Sequence, residues 1–209
     1  MKKFRVFFLI FVFGFLVLNS SLIWALWSAV DMGSGDAPMY GIALGKGRND
    51  GVNRIYSACG DTRVYEFSWS GSNWIKSQVG TGSYTMRAVV LGVGRNDNKY
   101  RVYAANDDNY GYEFSWNGSN WEAVKIHGWS SGIYDIAVGD ARDDGKNRWY
   151  LSRKSYGWYT GCNEYEWIGS NWEHVSLTGY SAANYICIGN GRNDGKNRFY
   201  ETYASNNKE

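Results

Sequence analysis

This chain is short of several things. It has one proline in 209 residues, two histidines, three cysteines and few long aliphatics beyond its N-terminus. It also lacks a charge imbalance: 22 Lys and Arg stand against 20 Asp and Glu, a formal +2, and the two signs alternate instead of forming a basic face. That excludes the broad electrostatic footprint of a nucleic-acid binder. Cys59, Cys162 and Cys187 have no metal-ligand or redox spacing, so they read as buried small hydrophobes or as one incidental disulfide with a free thiol. His127 and His174 accompany no serine or cysteine motif. With no acid, base and nucleophile constellation in the chain, the expectation is a protein that is not an enzyme.

What is abundant points one way. There are 26 Gly and, among aromatics, 11 Trp, 17 Tyr and 9 Phe. Aromatic residues suit a pleated, half-buried surface, and Gly with Asn and Asp supplies turns, so the composition predicts an all-β protein with little helix.

The N-terminus is of another kind. Lys2, Lys3 and Arg5 precede an apolar stretch over 6–18 broken only by Gly14, and Asn19-Ser20-Ser21 follows. This is the pattern of a signal peptide over residues 1–25, with Ala25 as the cleavage residue, and it predicts export. An uncleaved anchor is the alternative, since 6–25 has about the length of a membrane span. The short apolar core fits the signal better, so a membrane enters only through an uncleaved N-terminal segment.

From residue 26 onward the chain repeats itself. Residues 45–54 (GKGRNDGVNR), 92–101 (GVGRNDNKYR), 139–148 (GDARDDGKNR) and 189–198 (GNGRNDGKNR) are versions of one turn, and Gly-Ser-Asn-Trp recurs at 71–74, 118–121 and 169–172. Arg48, Arg95, Arg142 and Arg192 lie 47, 47 and 50 residues apart. Each unit reads as four strands. Strand a (42–44, 88–91, 136–138, 186–188) is apolar on both faces and is expected to be buried on both. Strand b follows the ten-residue turn. Strand c alternates, as in Tyr65, Phe67 and Trp69 around Glu66 and Ser68. Strand d, starting at Trp74, Trp121 and Trp172, is the most polar and the outermost.

Four graded antiparallel strands in about 47 residues are what a β-propeller blade requires. The units are 39–79, 86–126 and 133–177, with a partial unit at 184–204 and a lone strand d at 27–32. The expected architecture is an all-β propeller, either a four-bladed ring with a thin last blade or a fragment of a larger ring. Because strand c of the shared blade is missing, a gap would remain between b and d, which favours the fragment.

The turn GDARDDGKN at 139–147 resembles the calcium loop of the FG-GAP and VCBS-type propeller repeats found in the integrin α head and in bacterial surface proteins. That resemblance implies a propeller with calcium loops of the form Asp-x-Asp/Asn-x-Asp-Gly. Here arginines Arg48, Arg95, Arg142 and Arg192 stand at the third ligand position, and the third turn alone keeps two acids, Asp140 and Asp144, in register. A guanidinium repels calcium and can replace its charge. The expectation is therefore a degenerate loop without a cofactor, in which each arginine pairs with Asp50, Asp97, Asp144 or Asp194 or with an acid of the next blade. A plain hairpin turn, with Asn-Asp-Gly supplying the positive φ, requires no more than this.

Function is expected where units differ. The d–a loops (81–84, 128–131, 179–182) and b–c loops (60–63, 107–110, 153–162) share one face in propellers. They carry Trp129, Trp158, Tyr159 and Tyr180 near Asp61, Asp107 and Asp108. Aromatic platforms beside polar acceptors suit a glycan or a protein ligand, although the same aromatics would also serve to cap blades. The leading expectation is an exported binding or adhesion module. A structural segment of a larger envelope protein is second, and an exported hydrolase third.

Overall fold

The computed structural model describes residues 29–126, 132–153, 161–177 and 183–203. The chain divides into two compact units, 1–32 and 33–209. Of the first, residues 29–32 are described, and they form no strand. The strand expected over 27–32 is thus not formed in its described part. One β-branched residue, Val30, stands in solvent and gives those four residues no face to bury. The proposed signal segment lies outside the described residues. No helix among those described is long and apolar enough to cross a membrane.

The second unit is all-β and antiparallel, with no helix among the described residues. The first sheet contains β1 (Met39–Gly45), β2 (Arg54–Cys59), β3 (Arg63–Trp69) and β4 (Trp74–Thr81). The second contains β5 (Met86–Gly92), β6 (Arg101–Asn106), β7 (Gly111–Trp116) and β8 (Trp121–Ile126). The third contains β9 (Ile133–Gly139), β10 (Arg148–Arg153), β11 (Cys162–Trp167) and β12 (Trp172–Ser176). Each is a meander with its strands in sequence order, and the fourth has two strands, β13 (Ala183–Gly189) and β14 (Arg198–Tyr203).

Register divides every sheet into two unlike faces, because residues directly opposite one another share a side. In the first sheet Ala43, Tyr56, Glu66 and Ser77 stand in one row, and Leu44, Ile55, Phe67 and Lys76 in the next. The first kind of row, which we call the trailing face, packs on the second kind, the leading face, of the following sheet. Tyr56 joins Val89, Val102 and Phe114 in one core. Tyr103 joins Ile136, Trp149 and Tyr165 in a second. Tyr150 joins Ile186 in a third, with Phe199 packed against it. The inner strands β1, β5, β9 and β13 therefore lie side by side in that order, each touching the next.

The end of strand a repeats a small fit. A Cβ on Gly45 would lie 3.2 Å from the Leu91 side chain, one on Gly92 would lie 2.4 Å from that of Val138, and one on Gly139 would lie 3.4 Å from that of Ile188. At Gly92 a Cβ would have to displace Val138, at Gly45 it would be tight against Leu91, and at Gly139 it would be in ordinary contact with Ile188, so the next sheet's aliphatic side chain lies where the glycine's own would point.

Burial on both faces, expected for every strand a, holds for β5 and β9. It fails for β1, where Ile42 is 66% and Leu44 69% exposed, and for β13, where Tyr185 is 70% exposed. The reason is position: β1 opens the series and β13 ends it, and neither outward face has a neighbouring sheet among the described residues.

Candidate functional site

The two ends of the strands differ in what they leave free. At one end lie the ten-residue turns. Asn49, Asn96, Asp143 and Asn193 take φ of 60°, 58°, 57° and 55°, and two residues on, Gly51, Gly145 and Gly195 also have positive φ, with Asn98 in the glycine's place. Asn and Gly tolerate this left-handed region, which closes the turn. The first three of those side chains also reach the following turn. Asn49 Oδ1 accepts from Tyr100 N at 2.7 Å, Asn96 Oδ1 from Asn147 N at 2.7 Å, and Asp143 Oδ1 from Asn197 N at 3.3 Å.

The arginine pairing differs from the sequence expectation. Asp50, Asp97, Asp144 and Asp194 each receive both guanidinium nitrogens of the arginine four residues on, Arg54, Arg101, Arg148 and Arg198, at 2.6–2.9 Å. Those arginines open strand b directly across the turn, which is closer than any other cation. Arg48, Arg95 and Arg142 instead turn inward to Glu66, Glu113 and Glu164 on strand c of their own sheet. Glu66 is fully buried and also accepts from Tyr56 Oη at 3.0 Å. Arg192 has no ion-pair partner among the described residues, because its sheet shows no strand c there.

These pairs fix the electrostatics of the turns. The Arg54 guanidinium holds the Asp50 carboxyl down at about 2, Arg101 does the same for Asp97 at about 2, and Arg198 for Asp194 at about 2. Asp144 is also pulled well below the usual carboxylate range by Arg148.

A calcium ion does not fit this donor set. Both Asp144 oxygens face Arg148, and Asp140 accepts from Asp144 N at 3.0 Å and Gly145 N at 2.7 Å. No group of three or more acid, His or Cys side chains suited to a metal occurs among the described residues. The ion needs six to eight oxygens, and this loop has already given its carboxylates to N–H donors.

The opposite end carries the b–c and d–a loops, which hydrogen bonds draw into one surface. Gly82 N donates to Thr62 O at 2.9 Å and Asp107 N to Thr85 O at 3.0 Å, while Thr85 Oγ1 reaches Gly60 O of the preceding sheet at 3.5 Å. Asp61, Asp107 and Asp108 lie on this surface, but as working parts of the loops. Asp61 accepts from Tyr65 Oη at 2.5 Å and Arg63 N at 3.1 Å. Burial opposes its charge, and these bonds outweigh burial and keep its carboxyl low. Asp108 accepts from Tyr112 Oη at 2.7 Å and lies 3.3 Å from Lys125 Nζ. Asp107 holds Arg87 through Nε at 2.8 Å and Nη2 at 2.5 Å.

The structure thus gives all three acids internal partners. Trp129, Trp158, Tyr159 and Tyr180 lie outside the described residues. What the sequence reading passed over is a cluster around Arg87. Its guanidinium carbon stands 4.9 Å from the Tyr40 ring centroid, and Tyr40 and Tyr84 are both exposed. Arg87 and Tyr40 sit at the same position of successive a strands, a signal present in the repeat once the strands are aligned.

The cysteines Cys59 and Cys162 are buried free thiols, donating to Ala37 O and Glu201 Oε2 at 3.2 Å each, and Cys187 is exposed and free. Burial pushes the Cys162 thiol far up, which disfavours its thiolate. No family model matches this chain, and no curated protein matches it.

Proposed function

We propose that this chain is an exported, non-catalytic binding module, built as a β-propeller or part of one, that recognises a glycan or a protein on its loop face. The observation that carries this reading is the contrast between the two strand ends. The turn end is closed by repeated ion pairs, whereas the loop end offers Tyr40 against the Arg87–Asp107 pair and exposed Tyr84 in the loop leading into β5. Flat rings next to fixed donors and acceptors suit sugar hydroxyls or peptide amides. The propeller reading is supported by three four-stranded meanders of one repeat, with strand a side by side. Export rests on the N-terminal sequence pattern.

Binding of the full-length chain to glycan and peptide arrays tests this. The expected result is a ligand class whose signal falls at least tenfold in Tyr84→Ala, a substitution at an exposed position that leaves the fold intact. An array with no ligand above background would reject the reading. It would leave the second one, a structural segment of a larger cell-envelope protein without a ligand of its own, which the bare faces of the first and last sheets favour.

A further inference from the structure

On strand a and at the turn end, the outward faces of the first and fourth sheets are bare and form the two halves of one more joint; farther out, residues 33–36 cover Tyr65 and Phe67 of the first sheet. We infer that the trailing face of the fourth sheet receives the leading face of the first sheet of a second copy of this chain, so that copies associate head to tail. Three features of the internal joints and one of composition meet at this place.

The first is the glycine fit. Gly45 faces Leu91, Gly92 faces Val138 and Gly139 faces Ile188, whereas a Cβ on Gly189 would have nothing within 4 Å. The aliphatic residue at the matching position of the first sheet is Leu44, left in solvent. The second is the cation–π stack. The Arg48 guanidinium lies 4.0 Å from the Trp116 centroid and that of Arg95 lies 3.9 Å from the Trp167 centroid, each across a joint. Arg142 has no such stack among the described residues, since the fourth sheet shows no strand c there; the same register puts Arg192, with no ion-pair partner among the described residues, over Trp69, which is 53% exposed.

The third is the turn-to-turn clamp. Asn49 and Asn96 each accept from a backbone N–H of the next turn and donate through Nδ2 to the carbonyl of the same residue, at 3.0 Å in both cases. Asn193 has the same left-handed backbone, and its side chain makes no hydrogen bond among the described residues. Its counterpart is the backbone of Asn53. The fourth is composition: Ile42 and Leu44 of β1 and Val52 of the following turn are exposed, and apolar side chains of that kind are what an interface core uses.

One position departs from the pattern. Tyr185 stands where the other sheets have Gly41, Ala88 and Asp135, so the new joint must seat a ring, and by the contact of Gly41 with Ala88 and Val89 its neighbours there are Gly41 and Ile42 of the second copy. Both halves reside on one chain and differ from each other, which makes the contact heterologous: it propagates as a ring or an open series instead of stopping at a two-fold dimer. The occupant is a second copy because strand a and the turn end of each bare face have their complements in this sequence: Leu44 for Gly189, Trp69 for Arg192 and the Asn53 backbone for Asn193.

The joint can be trapped. A Cβ on Gly45 would stand 3.9 Å from Leu91 Cβ, a separation a disulfide spans. Full-length chains carrying Leu44→Cys and, with a different tag, Gly189→Cys, both in a Cys187→Ser background, are co-expressed and oxidised before extraction. The expected product is a mixed-tag dimer of twice the chain mass, with neither variant alone giving that band. In the double variant a ladder of higher multimers is expected. A double variant that cross-links only within the monomer would overturn the proposal in favour of closure inside one chain, and no cross-link at all would reject it outright. As an independent check, Leu44→Glu should weaken self-association about 30-fold or more, as loss of a central anchor does. Its unfolding midpoint should match that of the parent under dissociating conditions. A parent chain that sediments as a monomer at all concentrations would also reject the proposal.

Discussion

Leu91 and Leu44 hold the same place in their sheets, yet one lies against the glycine of a neighbouring sheet and the other stands 69% in solvent. The same holds for Arg95, paired with buried Glu113 and stacked on Trp167, and Arg192, which has neither partner among the described residues. An internal joint and the two bare end faces are thus made from one repeated set of residues, and what separates them is whether a neighbour is present. The repeat encodes a sheet together with half a joint on each side. Stability from the joint terms is therefore expected to be concentrated in the middle of the series, as in other arrays whose units contact only their neighbours.

The sharpest test of that contrast is to delete the same arginine in both settings. Arg95→Ala strips the fully buried Glu113 of its closest cation and removes the stack on Trp167. An uncompensated buried charge of this kind costs about 3 kcal/mol, the lower end of the usual range, because Arg101 Nε still stands 3.7 Å away. Arg192→Ala is expected to change stability by less than about 0.5 kcal/mol under dissociating conditions. Urea midpoints read both. Equal losses would mean that Arg192 is already engaged within its own chain.

Adding a side chain gives the second contrast. Gly92→Val drives a Cβ to 2.4 Å from Val138, and overpacking of this sort costs about 1–3 kcal/mol. Gly189→Val meets open space and should be neutral, or slightly stabilising because valine suits a strand better than glycine does. Thermal midpoints of the two variants should move apart. If Gly189→Val is as damaging as Gly92→Val, the face thought to be bare is covered.

Much of this arrangement was readable in advance, and the reasons are physical. A ten-residue turn with two residues in the left-handed region leaves a strong mark on sequence, since Asn, Asp and Gly are nearly alone in accepting that backbone. Strand periodicity likewise exposed strand c, where Tyr65 and Phe67 are buried on one face, under residues 33–36, and Glu66 on the other. The partner of each charge was not readable. Asp50 has two arginines close by in sequence, Arg48 and Arg54, and it pairs with Arg54 because that residue opens strand b beside it, while Arg48 turns to Glu66. The buried glutamates show the same limit. The recurrence of Glu66, Glu113 and Glu164 on strand c suits a framework role and predicts arginine or lysine partners in the neighbouring sheet, but the structure pairs each with Arg48, Arg95 or Arg142 of its own sheet, because the ten-residue turn folds back over strand c. At the loop end, Asp61, Asp107 and Asp108 looked like free acceptors because sequence lists oxygens without listing the N–H and O–H groups that fill them.

Acid should act on both regions alike, because the aspartate–arginine pair is present in all four turns, the last included. Asp97 has its folded value lowered to about 2, below the ordinary 3.8. A depressed carboxyl contributes stability that is complete above the unfolded value and is lost as pH falls from about 4 toward 2. Each of these pairs is partly exposed, so solvent screening limits the loss to about 0.5 kcal/mol for Asp97, typical of a surface ion pair. Asp97→Asn should accordingly flatten the acid limb of the stability curve between those pH values and leave the neutral region lower by the same small amount. An unchanged acid limb would show that the pair adds nothing to the turn.

The smallest contrast lies between equivalent b–c turns. Thr62 takes φ of 77° where the matching residue of the second sheet, Asn109, takes 73°. Asparagine accepts that region readily, and a β-branched residue does not, so the first turn carries strain of about 1 kcal/mol that the second lacks. Part of it is offset by the contact between Thr62 Oγ1 and Thr81 Oγ1 at 3.2 Å, which is exposed and therefore weak. Thr62→Asn should raise stability by about 0.5 kcal/mol, read as a shift of the urea midpoint at constant slope. The reverse change, Asn109→Thr, should lower it by a similar amount. If both substitutions lower stability, the hydroxyl contact outweighs the backbone strain, and the first loop is held in its shape by Thr81 instead of by the turn itself.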